Sequence, residues 1–151
     1  MFRGPYVRPR LPYARATDWE GLLEWLPEWF TPYHHQAEAF QRLRSRDEAD
    51  ERRPEPTLVI TGTGSGKTEA FLYPVLAHAK RMRDQGQRGV KALLLYPMNA
   101  LASDQANRLA KLLTSEPGLE GVDAGIYVGD QNTNVTKVTP DSLITDLSLI
   151  H

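Results

Sequence analysis

One eight-residue stretch constrains this chain more than any other: Thr61-Gly62-Thr63-Gly64-Ser65-Gly66-Lys67-Thr68. It follows the apolar run Thr57-Leu58-Val59-Ile60-Thr61 and opens a helical stretch from residue 67 to about 83. A strand, a glycine-rich turn carrying Gly-Lys-Thr, and a helix in that order form a phosphate-binding loop. Glycines let the backbone curl so that successive N–H groups point inward at a polyphosphate. The helix N-terminus adds a dipole that favours an anion. Lys67 then reaches β and γ phosphates, and the Thr68 hydroxyl takes a Mg²⁺ position. Thr63, Gly64, Ser65 and Gly66 supply the cradle around them. The first position is Thr61, where the strict pattern has glycine.

The rest of the chain supplies a frame for such a loop. Residues 90–96 and 122–128 repeat the short, unbroken apolar run of residues 57–61. Between them, residues 99–113 place Leu101, Ala102, Ala106, Leu109, Ala110 and Leu113 on one helical face. Upstream, residues 33–44 recur apolar at Ala37, Phe40 and Leu43, widened by Ala39. Strands that are apolar throughout and alternate with helices predict an α/β fold, a parallel sheet flanked by helices on both faces. Pro74, the eighth residue of its helical stretch, is predicted to bend or interrupt it.

Composition narrows the classes. At 151 residues, 40% hydrophobic and 25% charged, the chain has the make-up of one globular domain. A net charge of -1 excludes a strongly basic nucleic-acid coat and leaves a local groove open. The absence of cysteine excludes disulfides, thiolate catalysis and cysteine zinc sites. No apolar run is long enough for a membrane span, and Met1-Phe2-Arg3-Gly4-Pro5 does not open a signal core, so a cytoplasmic protein without membrane contact is expected. Residues 1–32 read as a Pro/Trp-rich N-terminal arm, basic over 1–16, where Arg3, Arg8, Arg10 and Arg15 meet no acid. Trp19, Trp25 and Trp29 mark residues 18–30 as a short helix or packed loop covering an apolar surface. Residues 45–56, with eight charged side chains of twelve, read as a surface loop. Asp130 and Asp146 are weak candidates for a metal carboxylate, and neither has an adjacent glutamate. His34 and His35 read as helix-start or surface residues, since no partner stands at ligand spacing.

The wording of the loop, with threonine at position 61, resembles motif I of superfamily 2 helicases of the DEAD/DEAH-box class. Tyr96-Pro97-Met98-Asn99-Ala100-Leu101-Ala102-Ser103-Asp104-Gln105 resembles motif Ia, and Tyr33-His34-His35-Gln36 with Ala39-Phe40 resembles the Q-motif region. The wording is most similar to large bacterial helicases of the MrfA-like or phage-defence kind. The resemblance implies a P-loop NTPase: residues 33–151 would be an incomplete first RecA-like domain that binds ATP and Mg²⁺. Gln36 would read the adenine edge and Tyr33 would pack on the base. Gly64, Ser65, Gly66, Lys67 and Thr68 would hold phosphates and metal, with Lys67 and Thr68 catalytic. Pro97, Asn99 and Ala100 would contact a nucleic-acid strand, with Gly129 as a weaker match. Met98 stands where many relatives have a threonine hydroxyl.

The partners so implied are nucleic acid, DNA ahead of RNA, and the remainder of the helicase motor after residue 151. An Asp-Glu-Ala-Asp stretch, Asp47 to Asp50, stands only upstream of the loop, inside the charged segment 45–56 and not after an apolar run; no Asp-Glu-Ala-Asp or Asp-Glu-x-His segment follows the loop, and no second RecA-like domain is expected within these residues. Residues 139–146 fit either a motif Ib strand or a connector before it. Two other readings compete with a helicase or translocase module: a non-catalytic nucleotide-binding fragment or remnant, and another P-loop enzyme such as a small kinase. The kinase reading lacks an arginine-rich lid after the third apolar run.

Overall fold

The structure is a computed structural model that describes residues 12–45, 53–126, 136–138 and 143–145. Its helices are α1 (His34–Leu43), α2 (Lys67–Asp84) and α3 (Asn99–Ser115), the last followed by a 3₁₀ turn at Pro117–Leu119. Three short strands come after: β1 (Gly125–Ile126), β2 (Thr136–Val138) and β3 (Leu143–Thr145). All three helices fall where the apolar periodicity predicts them.

Each helix is amphipathic for a visible reason. In α1, Gln36, Ala37, Ala39 and Phe40 are buried, while Glu38, Gln41 and Arg42 face solvent. In α2, Ala70, Leu72, Tyr73, Pro74, Leu76 and Ala77 turn inward. Gly86, in the left-handed region at φ +73°, stops α2, and Gln87 N–H donates to the Met82 carbonyl at 2.9 Å.

The predicted break at Pro74 does not occur, and α2 runs as one helix through it. Proline removes the N–H that would bond the Ala70 carbonyl. Its ring is fully buried beside Tyr73, Leu76 and Ala77, and that apolar burial offsets the missing bond.

The core is aromatic and centres on Tyr73. The Phe30 ring lies 4.8 Å from it edge-on, Trp25 lies 5.3 Å away and Phe40 6.3 Å. Leu23, Leu72, Leu76 and Leu119 complete the cluster. Burial, and then the nearby Glu116 carboxylate, push the Tyr73 hydroxyl up to about 12. Residues 18–30 are therefore a packed loop of turns rather than a helix, with Leu23, Trp25 and Phe30 on the core and Trp29 left 71% exposed. The end of the N-terminal arm is tied down as well. Arg15 and Tyr33 form an antiparallel bridge, His34 N–H donates to the Ala14 carbonyl and Ala16 N–H to that of Pro32, both at 2.9 Å.

The parallel sheet predicted from residues 57–61, 90–96 and 122–128 is absent among the described residues. The first two segments are extended but join no ladder. Many of their apolar side chains face solvent, with Leu58 82% exposed, Ile60 80%, Val90 88% and Leu95 82%, while Val59 and Tyr96 are partly buried and Leu94 packs against the aromatic core. The one sheet is antiparallel, in the order β1-β2-β3, with Gly125 opposite Lys137 and Lys137 opposite Ile144. A parallel strand is held by neighbours on either side, and no described segment lies hydrogen-bonded against residues 57–61 or 90–96. Only residues 125–126 of the third apolar run are strand, and 127–128 lie outside the described residues, as does most of 139–146 around β3. In α3 the predicted apolar face is accordingly only partly covered. Ala106 and Ala110 are buried, and Leu101 is 39% exposed.

His78 on α2 gives a testable pH dependence. Its Nδ1 lies 2.8 Å from the Ser45 Oγ. Burial, followed by the charges of Arg81 and Lys91, holds its pKa below the ordinary histidine value. The unfolded chain then takes up this proton at a higher pH than the folded chain does. The stabilisation is complete above about pH 6.5 and is lost as pH falls toward the lowered folded value. Urea midpoints should drop between about pH 7.5 and about pH 5.5, and His78→Gln should reduce that drop. An unchanged drop in His78→Gln would remove His78 as its cause.

Candidate functional site

The glycine-rich turn closes on itself through side chains as well as backbone. Gly64 and Gly66 sit at φ +72° and +75°, the left-handed region that lets the loop reverse before α2. Gly66 is the residue that caps the start of that helix. Ser65 is 1% exposed, and its Oγ lies 2.5 Å from the Thr61 Oγ1. The threonine that replaces glycine at the first motif position thus holds the loop shut. Lys67 folds back over the loop, and its Nζ donates to the Gly62 carbonyl at 2.7 Å and the Thr61 carbonyl at 3.0 Å. An ammonium group has three N–H donors, so one is left for a ligand.

Helix α1 grips the same loop from the other side. The Gln36 Oε1 accepts from Tyr33 N–H at 2.8 Å and closes the N-terminus of α1. The Gln36 Nε2 donates to the Gly66 carbonyl at 2.9 Å. One residue earlier, the His35 Nε2 meets the Ser65 carbonyl at 2.9 Å. Two successive side chains of α1 therefore hold two successive carbonyls of the loop.

Between these elements opens a cavity of about 560 Å³, within the size range of small-molecule sites. Gly64, Ser65, Gly66, Lys67 and Thr68 of the loop line it together with Arg15, Thr31 and Tyr33, and Gln36 joins the two groups through its bond to Gly66. Three cations, Arg15, Lys67 and Arg108, and one acid, Glu69, line it, so its charge favours an anion. Arg108 reaches from α3 to pair with Glu69 at the start of α2. That ion pair ties the helix of the loop to the helix that follows Pro97 and Met98. Among the described residues, no group of His, Asp and Glu side chains could hold a metal ion, so Thr68 remains the metal candidate in the cavity.

The sequence-predicted residues divide into three groups. Tyr33, Gln36, Gly64, Ser65, Gly66, Lys67 and Thr68 meet in one cavity. Thr63 does not line it and is exposed at the outside of the turn. Pro97, Asn99 and Ala100 are exposed at the start of α3, apart from the cavity, beside Met98 at 64% exposure. Gly129, Asp130 and Asp146 lie outside the described residues. Gln36 is 2% exposed, and its amide already serves two backbone partners. Arg15 reads in the sequence only as part of the basic arm and His35 only as a helix-start or surface residue, while Glu69 and Arg108 have no role there. Arg15 and Arg108 reach the cavity across chain separations that no motif spans.

Gly66 admits a sharp test. A Cβ built there would stand 2.3 Å from the Gln36 Nε2, and the φ of +75° is itself unfavourable for an L side chain. Gly66→Ala should cost about 1–2 kcal/mol from the backbone alone and should break the Gln36 contact as well. A thermal midpoint equal to wild type would show that the loop does not hold this geometry.

Comparison with known proteins gives a consistent picture. The DEAD/DEAH box helicase family model matches residues 33–148. The Druantia protein DruE of Escherichia coli (strain UMEA 4076-1) is 40% identical over 86 residues, which is 54% of this chain and 4% of DruE. The uncharacterized ATP-dependent helicase YprA of Bacillus subtilis (strain 168) is 30% identical over 122 residues, 79% of this chain and 14% of YprA. The ATP-dependent RNA helicase dbp9 of Schizosaccharomyces pombe is 48% identical over 52 residues, 33% of this chain and 9% of dbp9. The chain thus spans a small fraction of the length of these relatives. No solved structure matches it. The family model covers the clamp helix α1, the phosphate-binding loop and α3 together, and this chain belongs to the DEAD/DEAH box helicase family.

Proposed function

We propose that this chain is the ATP-binding N-terminal portion of an ATP-dependent nucleic-acid helicase or translocase. One observation carries the reading: a single cationic cavity is lined both by the glycine-rich loop with Lys67 and Thr68 and by Arg15, Tyr33 and Gln36. Residues 33–151 are then part of a first RecA-like domain, and the remaining motor parts lie in residues that this chain does not contain.

In this reading each side chain has a separate task. The loop N–H groups and Lys67 bind the phosphates, and the free N–H of Lys67 is the donor that a γ phosphate would take. The Thr68 hydroxyl holds Mg²⁺, which completes its shell with phosphate oxygens and water. The metal would supply charge neutralisation on the phosphates, and Lys67 and Thr68 would orient them. His35 and Gln36 keep the loop open for that purpose by holding its outward carbonyls. Pro97, Asn99 and Ala100, exposed at the N-terminus of α3, offer backbone groups to a nucleic-acid strand. The relatives include proteins named as RNA helicases, so both RNA and DNA belong in the test.

A second reading also has an observation in its favour. Among the described residues no carboxylate cluster stands ready to hold a metal, and residues 57–61 and 90–96 have no ladder partner. A non-catalytic nucleotide-binding fragment fits both. Titration of the full chain with fluorescent ATP, with and without Mg²⁺, separates the readings. We expect saturable binding that Mg²⁺ strengthens and that Lys67→Ala weakens by about ten- to a hundredfold. No saturable binding by a chain with a cooperative unfolding transition would rule out an independent ATP site.

A further inference from the structure

We propose that the guanidinium of Arg15 is the surface on which the base of a bound nucleotide stacks, with Tyr33 as the support beneath it. This rests on the nucleotide reading above and assigns a residue to it that no motif marks.

The antiparallel bridge between Arg15 and Tyr33 sets the two residues side by side. The Arg15 Cζ lies over the Tyr33 ring, 4.4 Å from its centroid. The His35 ring is stacked with Tyr33 at 12° and 5.8 Å, and the Tyr13 ring lies 5.5 Å away at 52°. Tyr33 is thus enclosed by its own chain, and a base could reach its face only by displacing a guanidinium. That displacement would cost the cation–π contact.

The guanidinium itself is well placed. Its Nη1 donates to the Thr31 carbonyl, which ties the group to the cavity wall, where Thr31 and Arg15 both line the space. A guanidinium is flat and weakly hydrated, and it stacks on π systems through either face. With one face on Tyr33, the other remains for a ligand. Arg15 lines the same cavity as Lys67 and Thr68, so one molecule can meet a base platform and a phosphate loop together.

Hydrogen bonding does not replace stacking here. The Gln36 amide spends one N–H on Gly66 and accepts from Tyr33, and only 2% of the residue is exposed. Stacking accepts any base, because every base has a π face. The Arg15 contribution should therefore be similar for adenine and guanine nucleotides, and for a ligand without a base only the smaller pull of its charge should remain.

The experiment is calorimetric titration of the full chain with ATP, GTP and inorganic tripolyphosphate, comparing wild type, Arg15→Ala, Arg15→Lys and Lys67→Ala. Arg15→Ala should weaken ATP and GTP by about tenfold and tripolyphosphate by clearly less, since only the charge contribution is lost there. Arg15→Lys should behave as Arg15→Ala, since an ammonium keeps the charge without the flat face. Lys67→Ala should weaken all three ligands. Equal losses on tripolyphosphate, wild-type ATP affinity in Arg15→Lys, or no change in Arg15→Ala would each overturn the assignment while Lys67-dependent binding stands. Failure of wild type to bind either ATP or tripolyphosphate would overturn the nucleotide reading, and this one with it.

Discussion

Two outward-facing carbonyls of the glycine-rich loop, those of Ser65 and Gly66, are held by consecutive side chains of α1, and the geometry of the cavity depends on that grip. A loop that turns its N–H groups inward must turn some carbonyls away, and a buried carbonyl without a partner is costly. Here His35 meets the Ser65 carbonyl, and Gln36 joins Ala70 N–H at the Gly66 carbonyl. Gln36 also closes the N-terminus of α1 through Tyr33, so the start of one helix and the cap of the next share a single amide. The aromatic contacts of Tyr73 with Phe40 and Phe30 hold α1 and α2 together beneath it. Loosening that aromatic packing would be felt at the loop.

The parts of this fold that were legible in the sequence are those in which the signal is local. Helices announce themselves by a repeat that neighbouring turns enforce, and α1, α2 and α3 fall on their predicted spans. The loop is equally local, since its glycines, lysine and threonine act within a few residues of one another. The apolar runs at residues 57–61 and 90–96 were legible as segments that want burial, but a ladder is a property of pairs, and none of the described residues pairs with them. Pro74 does not interrupt α2, because a rule about backbone donors ignores what a buried ring gains from the core.

The site was legible in the same uneven way. Its phosphate-binding end followed from composition and spacing. Its walls did not, because Arg15 reaches the cavity through a bridge to Tyr33 and Arg108 through an ion pair with Glu69. The basic character of residues 1–16 reads in sequence as a solvated leader. In space, its last arginine is locked against an aromatic ring.

The double duty of Gln36 also determines what can stand at that position. Glutamate has nearly the same shape but no proton to give, so it would set an anionic oxygen against the Gly66 carbonyl oxygen. A glutamate there would still accept from Tyr33 N–H, and α1 would keep its start while the loop lost its anchor. The amide is therefore required by the apo architecture, whatever a ligand asks of it. A variant at position 36 that no longer binds nucleotide would thus carry two injuries at once, and its phenotype by itself would not identify the group that reads the base.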